Sequence, residues 1–458
     1  MRESTFILEG TIEALLDEKK YTTLRDILVT MNPADIAMLF EEIPEERLPV
    51  LFRLLPKEQA AETFVEMDSD AQELLIKGFS DAELKEVVDE LYVDDAVDIV
   101  EEMPANVVKR ILRQADPEMR KMINDILKYP DDSAGSIMTT EFVSLRPKMT
   151  TEEAIKRIRR TGVDKETIYT CYVTESSNVL VGYISIRALL LADEGDIIED
   201  IMEQNVIAVK TTDDKEEVAR TLARYNFIAV PVVDTEFRLV GIVTVDDAID
   251  VIEEEATEDI ELMASIMPSD KPYLKMNVFE IWRNRIPWLL FLMLSATFTG
   301  IIITSFEEKL AAQVALTAFI PMLTGTGGNS GSQSSVTVIR SLSLGDLKFS
   351  DLFSVIWKES RVAVLCGVTL AAANFIKIIL VDMMLMHNDG VTMVIAAVVC
   401  LTLALTVFIA KIVGSVLPMA AEKVGLDPAV MASPFISTVV DAISLLVYFG
   451  VATAILKL

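Results

Sequence analysis

Histidine and cysteine are scarce in this sequence. Its 458 residues include one histidine, His387, and three cysteines, Cys171, Cys366 and Cys400. The cysteines form no CxxC pair, which excludes a disulfide framework and a zinc site built from such pairs, and a reducing compartment is expected. A GxxxxGK[ST] phosphate loop, an HExxH motif and a Ser-His-Asp set are also missing. We therefore expect a protein that is not an enzyme.

Positive charge is scarce in the first part of the chain. Residues 286–458 contain 9 Lys and Arg and 10 Asp and Glu, so residues 1–285 hold the remaining 32 and 61 of the chain's 41 and 71. The first part therefore carries −29 of the net charge of −30. Such a region repels nucleic acid and attracts cations, although a simply solvated acidic surface would have the same composition. The opening MRESTFILEG has no apolar core, so we expect no cleaved signal peptide.

Long apolar runs occur after residue 285. Residues 286–306 are uncharged over 21 positions, which is enough to cross a hydrocarbon layer of about 30 Å. The second run is interrupted by TGTGGNSG, which predicts an apolar helix that leads into a glycine-rich polar segment. Five spans are predicted in a membrane domain at residues 276–458: 286–306, 310–339, 362–381, 391–417 and 429–456.

Basic residues in the short loops predict the orientation of these spans. Four basic residues precede the first span within residues 271–285, and four lie between the second and third spans, whereas residues 382–390 contain none. The two basic regions, and with them the acidic N-terminal part, are therefore expected in the cytosol. An odd number of spans in the cell membrane then places the C-terminal Leu458 outside.

Asp441 lies near the middle of the last apolar run, in PFISTVVDAISLLVYFG. A charged side chain at the centre of a membrane helix costs about 2.5–3.5 kcal/mol on insertion scales, so the charge needs compensation. One interpretation is a carboxylate that faces a watery pore and holds a hydrated cation. The alternative is a structural ion pair with Lys377 or Lys411, although both lysines could instead extend toward the membrane surface.

The segment GTGGNSGSQSS, residues 325–335, is a second candidate for the pore. Glycine and small hydroxyl residues let helices approach closely and let carbonyl groups face a cavity, and Asn329 and Gln333 add amide oxygens. Close helix packing alone is the alternative. Hard cations prefer oxygen ligands, and Mg²⁺ keeps most of its water while it contacts one or two carboxylates. The segment and Asp441 together therefore favour a cation pore.

Two repeat patterns divide the acidic region. In residues 1–130, DIAMLFEEIP (35–44) recurs as DAVDIVEEMP (95–104) among short amphipathic pieces, which predicts an α-helical superhelix. After residue 130 a pattern of strands and helices occurs twice, and strands such as IAVPVVD and LVGIVTV are apolar and β-branched. This repeat resembles a tandem pair of CBS domains, at residues 131–200 and 201–254. Such pairs are regulatory modules.

One acidic helix is predicted from about residue 245 to residue 266. Carboxylates three or four positions apart, such as Asp247 and Asp250, lie along one face. Each like-charge pair four residues apart costs roughly a few tenths of a kcal/mol, which bound cations would relieve; a solvated acidic helix is the alternative. Residues 255–275 would connect the CBS pair to the membrane domain.

The order of these parts resembles the MgtE-type magnesium transporters over essentially the whole chain. The specific motifs are GGNSGSQ followed by the dipeptide IR at 339–340, and PFISTVVD around Asp441. The resemblance implies a multi-domain fold: an α-helical superhelical N-domain, tandem α/β CBS domains, a connecting plug helix at 251–266 and a five-span α-helical membrane domain. It also implies a homodimer whose pore lies between the membrane domains and is built chiefly from the second and fifth spans.

The resemblance also implies which residues bind Mg²⁺. Asp441 would form the selective site, with a backbone carbonyl from Ser437 one turn earlier. Asn226 and Ser332 stand where some members have an acid and an amide, so one regulatory site is expected to be weaker and the pore region to lack one amide. The regulatory carboxylates would lie where the helical domain, the CBS pair and the plug helix meet: Asp94, Asp98, Asp214, Glu216, Asp247, Asp250, Glu255, Glu258 and Asp259.

A nucleotide is the second ligand that the resemblance implies. Some members bind ATP at the CBS pair. Tyr169, Arg187 and Phe227 are suitable residue types to contact its adenine. Expected partners are therefore Mg²⁺, ATP, membrane lipid and a second copy of the chain, without nucleic acid.

These features predict magnesium uptake under feedback control. At low cytosolic Mg²⁺ the carboxylates repel one another and the pore is open; at high Mg²⁺, bound ions bridge them and the pore closes. The membrane potential, about 2.3 kcal/mol per charge per 100 mV, draws the ion inward. One alternative is a proton- or sodium-coupled exporter of Mg²⁺ or Co²⁺, in which Asp441 exchanges a proton. Another is a membrane-anchored nucleotide-sensing scaffold.

Overall fold

The computed structural model describes residues 2–269, 271, 273–388, 390–431 and 433–457. The chain divides into two compact units, Met1–Ile252 and Glu253–Leu458. The division falls within one helix, Val245–Met263. Leu458, which the sequence predicts on the outer side of the membrane, lies outside the described residues.

Short helices occupy the start of the first unit, and some of them are capped by side chains. Asp68 caps the first amides of one helix, and Ser80 and Glu83 form a capping box at the start of the next, so successive helices begin after only a few residues. Their apolar faces share one continuous core. A helical N-terminal domain is thus confirmed. The helices are α1 (Arg2–Asp17), α2 (Tyr21–Leu28), α3 (Pro33–Glu42), α4 (Leu48–Phe52), α5 (Lys57–Val65), α6 (Ser69–Gly78), α7 (Asp81–Val88), α8 (Val93–Glu102), α9 (Ala105–Gln114) and α10 (Pro117–Ile126).

Two three-stranded sheets of the same design follow in the first unit. Their elements are β1 (Phe142–Leu145), α11 (Thr151–Thr161), β2 (Thr167–Thr174), β3 (Leu180–Ser185), α12 (Ile186–Leu191), α13 (Ile198–Ile201), β4 (Val209–Lys210), α14 (Lys215–Tyr225), β5 (Ala229–Val233), β6 (Leu239–Thr244) and α15 (Val245–Met263). The strand orders are β1-β2-β3 and β4-β5-β6. In each sheet the first two strands are parallel and the third is antiparallel to the second. The tandem repeat is therefore confirmed.

The two repeats exchange their leading segments. A Cβ atom added to Gly182 of β3 would lie 2.7 Å from Met202 Sδ, and one added to Gly241 of β6 would lie 2.7 Å from Met138 Sδ. Met138 precedes the first sheet but packs on the second, whereas Met202 precedes the second sheet and packs on the first. Glycine is needed on both strands because the incoming segment occupies the space of a side chain.

Long apolar helices make up most of the second unit. The α-helices that follow α15 are α16 (Val278–Ser305), the short α17 (Glu307–Ala312), α18 (Ile320–Ser343), α19 (Leu352–Lys377) with a π-helical continuation at Ile378–Leu385, α20 (Met393–Lys423) and α21 (Ser433–Leu456). Among the described residues, four segments are long and apolar enough to cross a membrane: Val278–Ser305, Phe349–Leu385, Met393–Lys423 and Pro428–Leu456. They overlap the first, third, fourth and fifth predicted spans. A count of five spans is not confirmed.

The predicted second span, residues 310–339, takes a different form. Residues before 320 form α17 and the 3-10 helix Val314–Phe319, and α18 then runs unbroken through the glycine-rich segment. Its 24 residues correspond to about 36 Å of helix, but its polar residues set it apart from the apolar spans. The glycines do not end the helix, because membrane-type helices tolerate glycine where a neighbouring helix occupies the freed space.

The glycines of α18 form a packing seam with α20 and α21. A Cβ atom on Gly414 of α20 would lie 2.2 Å from the Gly331 carbonyl oxygen. One on Gly327 would lie 2.7 Å from Thr406 Cγ2, and one on Gly328 would lie 3.1 Å from Ser437 Oγ. These helices therefore pack almost backbone against backbone.

Replacing Gly414 with alanine should destabilise the second unit. The added methyl group would overlap the Gly331 carbonyl and force α18 and α20 apart, and overpacking of this kind costs about 1–3 kcal/mol. The melting temperature of the purified protein in detergent should fall for Gly414→Ala but not for Gly450→Ala, whose added Cβ meets no atom within 4 Å. Equal melting temperatures for the two variants would contradict the close seam.

Candidate cation groove and acidic cluster

An open groove lies between α18 and α21. Its volume is about 790 Å³. The residues from α18 are spaced three or four positions apart and share one face, so the seam glycines Gly327 and Gly331 lie on the other side of the helix. The lining is rich in amide and hydroxyl oxygens, and it brings together three of the residues predicted to form the pore. The lining residues are Asn329, Ser332, Gln333, Val336, Thr337, Pro434 and Ser437.

Asp441 lies one helical turn after Ser437 on α21 and is half-buried. Among the described residues it has no hydrogen-bond or ion-pair partner. The two lysines that could have neutralised it are engaged elsewhere: Lys377 pairs with Asp382 at 2.9 Å, and Lys411 contacts a serine of α18. A structural ion pair therefore does not explain Asp441, whose carboxyl group is left available to a cation.

Seven carboxylates crowd together in the first unit. Asp94 is 7% exposed, and within the described part of the chain its Oδ1 atom has no hydrogen-bond partner. Glu141 accepts hydrogen bonds from the Val93 amide at 3.1 Å and the Thr139 hydroxyl at 2.9 Å. Among the described residues, none of the seven forms an ion pair with a lysine or arginine. The acidic cluster, as we call this set, consists of Asp94, Asp95, Asp98, Glu141, Glu166, Asp246 and Asp247.

Burial and the charges of neighbouring carboxylates raise the pKa values of five members of the acidic cluster: Asp94, Asp95, Asp98, Glu166 and Asp247. Burial, followed by the charge of Asp247, raises the pKa of Asp94 well above its ordinary value, and the same two causes raise the pKa of Asp98 to about 7. Burial, followed by repulsion from Asp246, raises the pKa of Glu166 to about 8. Burial raises the pKa of Asp247 to about 6 although it accepts stabilising hydrogen bonds. A cation bound here would relieve the repulsion.

The sequence predicted only part of the acidic cluster, namely Asp94, Asp98 and Asp247. Asp95, Asp246, Glu141 and Glu166 were missed, although each of the two glutamates directly precedes a strand of the parallel pair β1 and β2. Parallel strands begin at the same edge of a sheet, and the Glu166 amide donates to the Glu141 carbonyl at 2.9 Å. An acid immediately before each of two parallel strands is the signal that could have identified them.

The remaining predicted sensor residues of the first unit make local contacts. Asp214 caps α14 by accepting a hydrogen bond from the Glu216 amide at 2.9 Å, and Glu216 pairs with Arg220. Asp250 lies on α15, one turn after the first residues of the acidic cluster on that helix. Asn226 ends α14 in the left-handed conformation, with φ of 53°, a position that asparagine tolerates well.

Three predicted sensor residues, Glu255, Glu258 and Asp259, belong to the second unit. Asp259 accepts a hydrogen bond from the Ser343 hydroxyl of α18 at 2.7 Å. Leu262, one turn further along α15, packs in an apolar cluster with α18. The end of α15 is therefore fastened to the helix that lines the groove.

The three residues predicted to contact a nucleotide occupy different elements of the first unit. Tyr169 lies on β2 and is 61% exposed, and Arg187 is exposed in the first turn of α12. Phe227 follows α14 and stacks on Tyr225 with ring centroids 5.4 Å apart. Flat aromatic surfaces of this kind can stack on a purine.

Across the described ranges, no three His, Cys, Asp or Glu side chains are arranged as a ready-made metal site. The carboxylates of the acidic cluster are close enough to repel one another, but they do not converge on one point. A magnesium ion keeps several of its waters and needs only one or two carboxylates in direct contact. The cluster therefore suits hydrated divalent cations better than an ion stripped of water.

Metal-free protein should lose stability as the pH rises from about 6 to about 8. The pKa values of Asp98 and Glu166, about 7 and about 8 in the folded protein, lie above the values near 4 expected in the unfolded chain. The folded state thus binds protons more tightly and is destabilised as the pH passes these folded values. The melting temperature in a chelator should fall over this range, and added Mg²⁺ should restore it.

A pair of variants controls for other titrating groups. Combining Asp98→Asn with Glu166→Gln should remove much of the pH dependence, whereas Glu152→Gln, at an exposed residue paired with Lys156, should leave it intact. A metal-free melting temperature that is constant or rises between these pH values would contradict the assignment.

Known families match each part of the chain. The family MgtE, a divalent cation transporter, matches residues 320–451. The MgtE intracellular N domain matches residues 31–132, and the CBS domain matches residues 134–195 and 198–254.

Individual relatives match nearly the whole chain. The magnesium transporter MgtE of Thermus thermophilus is 38% identical over 98% of this chain and 99% of its own length, and that of Bacillus subtilis is 32% identical over 96% and 95%. The solved structure of the cytosolic domain of the Mg²⁺ channel MgtE in complex with ATP is 38% identical and matches with a TM-score of 0.51, covering 53% of this chain and 99% of that structure. From these matches, the chain belongs to the MgtE family of divalent cation transporters.

Proposed function

We propose that this protein takes up Mg²⁺ across the cell membrane and closes when cytosolic Mg²⁺ is high. Both relatives that match nearly its whole length are named magnesium transporters. The observation that carries the proposal is Asp441, a carboxyl group without a partner among the described residues, one turn from a groove lined by amide and hydroxyl oxygens. A hydrated divalent cation fits both features.

The membrane domain has five spans, with α18 as the polar one. The helix is long enough to cross a hydrocarbon layer, and its glycine seam is buried against α20 and α21. Its polar face opens on the groove, where water can solvate it. Because five is an odd number of spans, N-terminal domains in the cytosol, as the basic loops predict, place the C-terminus outside.

The groove oxygens act on the ion through its water shell. Magnesium gives up its waters reluctantly, so Asn329, Gln333 and the Ser437 carbonyl would bind the shell rather than replace it. Asp441 supplies the negative charge that offsets part of the cost of bringing a divalent ion into the membrane. The inward-negative potential is a sufficient driving force, so no hydrolysis of ATP is needed.

A second copy of the chain completes the path. The groove of one chain is open along its side, and α16, although apolar, leaves large side chains such as Leu289, Met293 and Phe298 mostly exposed. Two chains facing each other would enclose the groove and cover part of this apolar surface, while lipid covers the rest. The protein is therefore assigned as a homodimer.

The acidic cluster acts as the magnesium sensor. Without bound cations its carboxylates repel one another, and cations that bridge them stabilise the arrangement in which they lie close together. A ligand shifts such an equilibrium by its difference in affinity for the two states. One helix, α15, carries Asp247 of the cluster and also Asp259, which bonds to α18, so it links the sensor to the groove through the chain itself.

ATP is proposed as a ligand of the CBS pair. A relative of this region has been solved with ATP, and Tyr169, Arg187 and Phe227 supply aromatic surface and a positive charge. Bound nucleotide would act on regulation rather than on transport chemistry.

Replacing Asp441 with asparagine should reduce Mg²⁺ flux into liposomes at least about tenfold, because the neutral side chain no longer offsets the charge of the ion. Asp382→Asn is the control, since that carboxylate already pairs with Lys377 and should not be required. Unchanged flux through Asp441→Asn would remove Asp441 from the path.

Removing charge from the acidic cluster should weaken the feedback. With Asp98→Asn and Asp247→Asn combined, the internal Mg²⁺ concentration that halves the flux should rise by roughly tenfold, because each carboxylate lost weakens cation binding. Glu152→Gln should close at the parent concentration. If the combined variant also closes at the parent concentration, the acidic cluster is not the sensor.

A further inference from the structure

A buried lysine lies within the second unit. Lys411 of α20 is 5% exposed, and its Nζ lies 3.4 Å from Ser334 Oγ of α18. Among the described residues it forms no ion pair. A lysine inside a membrane domain is costly unless a carboxylate or other acceptor compensates it, so its retention here needs a reason.

Ser334 connects this lysine to a carboxylate. Its hydroxyl donates to Glu359 Oε2 of α19 at 2.7 Å, and Ser334 itself is 3% exposed. A hydroxyl has one proton and two acceptor positions, so it can donate to Glu359 and accept from Lys411 at once. The three side chains form a chain of hydrogen bonds from ammonium to carboxylate that joins three helices.

This bridge lies on the back of α18. Ser334 follows Gly331 by three positions and belongs to the buried side, whereas Asn329 and Gln333 face the groove. Glycines allow close approach but offer no side chain that would fix the rotation of the helix. A shift by one residue, about 100° of rotation, would bring Ser334 to the groove in place of Gln333. The bridge therefore helps to fix which face is presented, together with the apolar side chains that α18 buries at its C-terminal end, Val338, Ile339 and Leu342.

We propose that Lys411, Ser334 and Glu359 are positioning residues that hold α18 in the rotation at which Asn329 and Gln333 face the groove. The proposal rests on the proposed function of the groove as the cation path. Lys411 does not touch the ion; it acts through the orientation of α18.

Ser334→Ala removes the bridge with little change in volume and none in charge. The Mg²⁺ concentration for half-maximal flux of the full-length protein in liposomes should rise about tenfold, the loss expected for hydrogen bonds to charged groups. The ratio of Mg²⁺ to Ca²⁺ flux should fall, because the groove oxygens are no longer aligned. Thr402→Val removes a buried hydroxyl of α20 that has no hydrogen-bond partner among the residues the structure describes, and as the matched control it should change neither quantity.

The charges are tested by Lys411→Met and Glu359→Gln. Each single variant leaves one charge of the bridge without its opposite charge, either the buried Lys411 or the half-buried Glu359, and should impair transport more than the double variant, which leaves neither. If the double variant is as impaired as the sum of the singles, the two charges are not coupled and the proposal is wrong.

Two further results would overturn the proposal in different ways. If Ser334→Ala lowers only the melting temperature while the half-saturating concentration and the Mg²⁺ to Ca²⁺ ratio stay at parent values, the bridge is structural and does not position the groove. If the parent itself carries no Mg²⁺, or carries it independently of Asp441, the proposed function fails and this role fails with it.

Discussion

A carboxylate is costly wherever a protein removes it from water without a positive partner, and this chain does so in both of its units. In the first unit, Asp94 is almost fully buried among other acids, and this burial and their charges raise its pKa well above the ordinary value. In the second unit, Asp441 stands in an apolar helix without a partner among the described residues. Both arrangements cost stability in the absence of cations. A divalent cation bound at either place, as we propose, would offset part of that cost.

Two lysines of the second unit, in contrast, have polar partners within the protein. Lys411 is hydrogen-bonded to Ser334, which donates to Glu359, and Lys377 pairs directly with Asp382. Charges with internal partners can hold helices together, whereas a charge without one remains available to a ligand. The glycine seam brings α18, α20 and α21 close enough for such short polar side chains to reach across. The close packing of these helices thus lets the lysines reach partners other than Asp441, whose carboxyl group is left without one among the described residues.

Most of the architecture followed from local patterns in the sequence. The alternation of short helices, the repeated strand pattern and the apolar runs are features of neighbouring residues, and each gave the correct type of element. The sequence predicted an apolar helix that leads into a glycine-rich polar segment, and in the structure that segment lies within α18. Whether glycine ends a helix depends on the neighbouring helix that fills its missing side chain, and here Gly331 meets the backbone around Gly414. The residues next to a glycine in the sequence do not reveal which helix will pack against it.

By itself the sequence determined the types of residue available for cation binding: an intramembrane aspartate, a polar segment rich in glycine and an acidic helix. Only the tertiary structure decided which of them meet. It grouped Glu141 and Glu166 with Asp94 because parallel strands begin at one edge, and it separated Asp441 from both candidate lysines because those lysines bond elsewhere. Residue type and helical periodicity are properties of the chain, whereas repulsion, burial and pairing depend on distances between residues far apart in sequence.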